Sequence, residues 1–180
     1  AGLLGLDRLA LADQYAPLGG GRLVPYDEAR AVVDGAFRGF SPDVATVARA
    51  FFEERRVDAE PRPGKRGGAF CMEVQGAKES RILSNFDGSL DSVGTLAHEL
   101  GHAFHNECAY QAGQTVLQQI TPMTLAETAS TMCETIVSHA VLDSSTDPQE
   151  ILAVLESQIQ GASQVVVDIY SRFLFESEVF

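Results

Sequence analysis

The sequence contains no apolar run approaching the ~20 residues that a membrane-spanning helix needs, and it does not open on a charged-then-apolar stretch. Positive charge is scarce: 13 Lys and Arg face 25 Asp and Glu, a formal net charge of -12. Such a surface repels phosphate backbones and anionic lipid, so nucleic acid and membrane are both set aside as partners. Cysteines number three, Cys71, Cys108 and Cys133, with no C-x-x-C pair among them. An odd count without metal-ligand spacing argues for reduced thiols in a cytoplasmic protein rather than for a disulfide framework or a thiolate site. Internal repeats and low-complexity tracts are also missing.

What remains is a chain of 180 residues, 45% hydrophobic, enough for one domain with a real core. It begins at Ala1 and stops within "SRFLFESEVF", a helical pattern. We therefore expect a piece of a longer protein cut at both ends. Residues 1 to 22 form a lead-in ending in "GGG". Tyr26, Ala29, Val33, Phe37 and Phe40 then fall on one face at helical spacing. Ser41-Pro42 suits a second helix start, continued by Val44, Val47, Ala48, Phe51 and Phe52, with the solvated end at Glu53 to Arg56. "AEPRPGKRGG" interrupts the helical texture. "AFCMEV" and "SRILSNF" read as two strands joined by a turn at Gly76 to Lys78. A helix is predicted from about Ser89 to Glu107, another from Thr121 to about Leu142 started by Thr121-Pro122 or Thr124, and a last one from Asp147-Pro148. Ile151, Leu152, Leu155, Ile159, Val166, Ile169, Tyr170 and Phe173 are expected to be the buried face of that last block.

The stretch "TLAHELGHAFHNE", residues 95 to 107, carries the chemistry. On a helix, His98 and His102 project nearly together one turn apart, so both imidazoles can reach one ion. Glu99 lies about 100° round the helix, off the ligand line but within reach of a water beside the ion. H-E-x-x-H thus places two nitrogen ligands and a general base on one rigid element. A catalytic zinc ordinarily takes three protein ligands. The extended motif H-E-x-x-H-x-x-G-x-x-H fails, because His105 stands at its glycine and Cys108 at its third histidine. Glu107 would lie on the opposite face. Glu127 in "TLAETAST" is the candidate third ligand, carried by a helix folding back antiparallel, with the small neighbours Ala126, Ala129, Ser130 and Thr131 permitting close approach. The same letters also spell a capping box from Thr124 to Glu127, and that alternative stays open. Glu134, seven residues further, could orient a ligating histidine or be a plain surface acid. Gly101 costs about 1 kcal/mol in a helix interior relative to Ala, a cost that close approach of another backbone beside His102 would explain. His105 is expected to be packed or substrate-facing and not a ligand.

"GKRGGAF", "ILSNFDGSL", "TLAHELGHAFH" and "LAETAST", in that order and spacing, resemble the oligoendopeptidase F branch of the M3 metallopeptidases, the family of thimet oligopeptidase and neurolysin. "DQYAPL" at 13 to 18 and "SRFLFE" at 171 to 176 are similar to its flanking helices. The resemblance implies a mainly α fold with a small β-sheet, a zincin-like (gluzincin) catalytic core. It implies one Zn²⁺ held by His98, His102 and Glu127, with Glu99 as the catalytic base in hydrolysis of short peptides. On this reading residues 1–180 are part of one catalytic domain: a helical lead-in at 1–60, strands and a Gly-rich loop at 61–90, and zinc-binding helices at 91–180. The family's downstream tyrosine and histidine segment would lie past Phe180, and its N-terminal helical region before Ala1, so this piece alone is expected to be inactive. "RILSNF" is a candidate edge strand for an extended peptide, or an ordinary paired strand; "GKRGGAF" is a flexible substrate-side loop, or a set of plain turns. Two other classes remain: a non-catalytic zinc-stabilised peptide-binding or structural module, and a metal-free helical interaction domain.

Overall fold

The structure, a computed structural model, describes residues 22–180 together with Asp7, Arg8 and Ala10. The lead-in pattern and "DQYAPL" fall outside the described residues. The chain divides into two compact units, one made of Leu23–Ser144 and the other of Ala1–Arg22 with Ser145–Phe180.

In the first unit, helix α1 spans Tyr26–Phe40 and buries Ala29, Val33 and Phe37, while Phe40 at its end stays exposed. Helix α2, Pro42–Glu53, follows at once, with Pro42 in its first turn; Ser41 occupies the N-cap without a side-chain cap bond, and its N–H instead closes α1 onto Phe37. Val44, Ala45, Ala48 and Phe51 are buried along α2. Each large apolar side chain so covered contributes roughly 1.5–3 kcal/mol. Arg56, expected among the solvated residues, is largely covered: its guanidinium lies over Phe51 at 5.4 Å and pairs with Glu54 and Glu79.

A strand that the sequence pattern does not announce, β1 at Val57–Asp58, opens the sheet. Two residues are too few to carry an alternation signal. Strands β2 (Phe70–Val74) and β3 (Glu79–Leu83) form the expected hairpin, turning through Gln75–Ala77 with Lys78 left-handed. The strand order is β1-β3-β2, β3 pairing parallel with β1 and antiparallel with β2. This corrects the edge-strand expectation: "RILSNF" is central, and of the two outer strands β2 is the longer edge. Ile82 N–H donates to the Arg56 carbonyl just before β1 and Ser84 N–H to the Asp58 carbonyl within it (both 2.9 Å), so the main-chain groups of the alternate residues Arg81 and Leu83 face β2. Their partners Met72 and Phe70 bond inward, and the main-chain groups of Cys71 and Glu73 are left pointing to the open side.

The Gly-rich segment between β1 and β2 is tethered, not a free loop. The Lys65 side chain is 2% exposed and its ammonium donates to the carbonyls of Asp58 (2.9 Å), Glu60 (2.9 Å) and Ser84 (2.6 Å) as well as to the Asp58 carboxylate (3.1 Å). Asn85 holds the carbonyls of Arg66 and Gly68 at 2.9 Å each, and Gly68 supplies the positive φ of 80° this turn requires.

Helix α3 runs from Leu90 to Gln111, longer than predicted, with the Ser89 hydroxyl accepting from Ser92 N–H. Val93, Leu96, Ala97, Leu100 and Ala103 form its buried side. The single helix expected over 121–142 is two pieces, α5 at Met123–Ala126 and α6 at Thr128–Ser144, and a short helix that was not expected, α4 at Val116–Gln119, precedes them. The break falls at Glu127, whose φ of -90° and ψ of 4° lie in the bridge region. Helix α6 packs along α3, and Cys133 and Val137 complete the core.

In the second unit, α7 (Pro148–Ser163) starts on Asp147, whose carboxylate accepts from Gln149 N–H. A π-helical turn at Gln164–Ile169 leads into α8, Tyr170–Val179. The expected buried face is corrected here: Leu152, Leu155, Ile159, Val166, Ile169, Tyr170 and Phe173 are exposed, and Val154 is the buried residue of α7. A helical stripe predicts burial only where another apolar surface meets it, and within its own unit nothing described covers this one.

Candidate metal centre

His98 and His102 stand one turn apart on α3, their ring centroids 5.0 Å apart and nearly perpendicular. The chain then leaves α3, crosses α4 and α5, and presents Glu127 at the turn before α6. Its Oε2 lies 3.1 Å from His98 Nε2 and 3.3 Å from His102 Nε2. One potential ligand atom from each of the three residues lies within 4.8 Å of the others. Glu127 does not fold back as a capping box: its carboxylate accepts from the Ser130 hydroxyl at 2.8 Å.

The convergence depends on how closely α6 approaches α3. A Cβ on Gly101 would meet the Ala129 carbonyl oxygen at 2.5 Å and Ser130 Cα at 2.6 Å. Only glycine lets the two backbones come this near. Ser130 is fully buried at that contact.

The electrostatics fit a cation. Two imidazole nitrogens and a carboxylate oxygen point at one another, an arrangement of lone pairs that a bound ion satisfies. On the far side of His98, Glu134 Oε2 lies 3.2 Å from Nδ1, which turns Nε2 toward Glu127. That contact raises the His98 pKa, against the opposing effect of burial. Burial holds the His102 pKa below its ordinary value, keeping the ring neutral and able to ligate. For Glu127, burial pushes the pKa up but is outweighed by the Ser130 hydroxyl and the two histidines, so the carboxyl is held low.

Glu99, 6% exposed, sits beside this cluster, and burial is the main cause of its raised pKa. The backbone N–H of Cys71 is turned toward its carboxylate, while Oε2 is buried without a hydrogen-bond partner. A buried carboxylate oxygen left unpaired costs on the order of 1–3 kcal/mol or more, a cost retained where the group has work to do.

These residues line a cleft of about 550 Å³. The Ala69–Cys71 segment and Glu73 form one wall, His98, Glu99, His102, His105 and Asn106 of α3 the floor, and Gln119–Thr121 with Ala126 and Glu127 the other wall. His105 lies in the cleft outside the ligand cluster. Sequence reading passed over three contributors. Ser130 was seen only as a small neighbour, although its position three residues after Glu127 is a signal. Glu73 could have been found from its alternation with Cys71. The Gln119–Thr121 wall has no signal in its residue types.

The family model for peptidase family M3 matches residues 37–176, spanning the sheet, the H-E-x-x-H helix and the Glu127 turn. The chain belongs to peptidase family M3. Among M3 relatives it is 35% identical over 116 residues to the chromosomal oligoendopeptidase F of Lactococcus lactis subsp. cremoris, covering 64% of this chain and 19% of that protein. It is 29% identical over 164 residues to oligopeptidase PepF of Bacillus subtilis (strain 168), covering 88% of this chain and 24% of the relative. The chain thus spans about a quarter or less of the length of these two relatives. A crystal structure of a peptidase from Chlamydophila abortus superposes with a TM-score of 0.78 at 24% identity, covering 97% of this chain and 29% of that one. That likeness is one of fold, to a chain here mainly α with one small sheet. No helix among the described residues is long and apolar enough to cross a membrane.

Proposed function

We propose that this chain carries the metal centre of a zinc-dependent oligoendopeptidase, with His98, His102 and Glu127 holding one Zn²⁺ and Glu99 acting as general base. The carrying observation is the meeting of three ligand atoms within 4.8 Å beside a buried carboxylate that has an unpaired oxygen. A zinc ion bound there supplies Lewis acidity, polarising a peptide carbonyl and acidifying water.

The chain's own residues do the rest. Glu99 accepts the proton of the attacking water and returns it to the departing amine, a transfer that its raised pKa suits. The Cys71 N–H is turned toward that carboxylate and favours its charged form, against the effect of burial. Glu134 fixes the His98 tautomer, and Ser130 fixes the rotamer of Glu127. The open edge of β2, with the main-chain groups of Glu73 and the Cys71 carbonyl, offers an extended peptide main-chain hydrogen bonds that ignore sequence. The substrates in this reading are short peptides. The cytoplasmic location belongs to the same reading, in keeping with three free thiols.

Two measurements test it on the intact protein. Metal analysis after zinc-replete purification should give one zinc per chain. Glu99→Gln should keep that zinc and lower peptide hydrolysis about 10²–10⁴-fold. Zinc retention with no hydrolysis by the parent would make the chain a zinc-stabilised module, and the absence of zinc would end the reading.

A further inference from the structure

Glu73 is the one carboxylate in the cleft lining that neither the ligand cluster nor the general base uses. It lies on β2 two residues from Cys71, on the same face of the strand and therefore about 7 Å along it. Met72 and Val74, on the opposite face, are exposed, whereas Glu73 and Cys71 are half-buried against the α3 side. Among the described cleft-lining residues there is no Lys or Arg. The recorded contact of the Glu73 carboxylate is the neutral amide of Gln75 at 3.3 Å. A dication at the centre would be offset by Glu127 and Glu99, which leaves the charge of Glu73 uncompensated. Its field adds to the upward shift of the Cys71 thiol in the cleft wall and of Tyr110 on α3.

A peptide laid along the β2 edge brings alternate side chains onto the Glu73 face. We infer that Glu73 selects peptides carrying Lys or Arg at the position lying beside it, making the cleft an oligopeptidase site biased toward basic substrates. This rests on the proposed peptidase function and names a substrate class within it. A partly exposed carboxylate–ammonium pair corresponds to about a fivefold preference.

The test uses the intact zinc-loaded protein and a set of peptide pairs in which a single Lys, moved through the positions around the cleaved bond, is compared with Gln. At one position the Lys peptide should show about fivefold higher kcat/KM, carried mainly by KM. Glu73→Gln should abolish that ratio and Glu73→Lys should invert it in favour of Glu peptides. In the parent enzyme the ratio should shrink toward one as salt rises to 0.5 M, a readout that does not depend on the variants folding. Cleavage of the Gln peptides with no Lys advantage at any position, or an advantage insensitive to both salt and Glu73→Gln, overturns the role of Glu73 and leaves the peptidase reading standing. Failure to cleave any peptide overturns both.

Discussion

Replacing Gly101 by Ala probes the contact on which the proposed metal centre depends. The added methyl would sit 2.5 Å from the Ala129 carbonyl oxygen and 2.6 Å from Ser130 Cα, where ordinary contact begins at 3.4 Å. Both obstacles are backbone, so no side chain can rotate away. Helix α6 must retreat from α3 by about 0.9 Å to restore the oxygen contact. Overpacking of this kind costs about 3 kcal/mol at the upper end of its range. The better helix propensity of Ala returns about 1 kcal/mol. A net loss of about 2 kcal/mol corresponds to a fall in melting temperature of about 4–8 °C for a domain of this size. The same retreat carries Glu127 away from both imidazoles, now at 3.1 and 3.3 Å, and should weaken zinc binding about tenfold or more. The assays are calorimetry on metal-free protein and zinc competition against a chromogenic chelator. A Gly101→Ala protein that melts at or above the parent and binds zinc equally well would refute the claim that close helix approach builds the site.

Ser130→Ala removes the hydroxyl that holds Glu127 without adding volume; zinc affinity should fall about tenfold while the far-ultraviolet circular dichroism stays unchanged. The Asp58 carboxyl is held well below the usual carboxylate range, chiefly by the Arg62 guanidinium with Lys65 adding to it. Since the unfolded chain then binds the proton more readily, this stabilisation is complete above the ordinary carboxylate pKa and declines as pH falls below it. Denaturant melts of Asp58→Asn should therefore show a deficit of about 1 kcal/mol at pH 6, given the exposure of Asp58, that shrinks toward pH 3. Lys65→Met should cost about 3 kcal/mol in the same melts, because three carbonyls lose a buried donor together. In a timed alkylation read by mass spectrometry, Cys108 should react first: it is exposed, whereas Cys133 is buried and burial pushes the Cys71 thiol up to about 12.

Much of the centre was legible because it is local. His98, Glu99 and His102 share one helix, and helical geometry dictates their mutual reach. Gly101 was legible for the same reason, since a costly residue inside a helix calls for a neighbour. The break at Glu127 was not, because the letters from Thr121 to Leu142 are uniformly compatible with helix and the bend comes from packing against α3. The order of the sheet was hidden by β1, whose two residues decide that β3 is central and leave β2 as the longer edge. The stripe on α7 and α8 has the right periodicity, but periodicity marks a surface that can be covered and does not supply the cover. The tether through Lys65 joins residues up to 19 apart, a distance at which no local pattern speaks.

Because Glu127 sits at a joint between two helical pieces instead of mid-helix, its carboxylate would work as a latch once an ion is bound. Filling the cage would pin the short α5 segment and the Gln119–Thr121 wall beside it. Loss of the ion would let that side of the groove swing on the joint, so the grip on a substrate and the grip on the metal would slacken together.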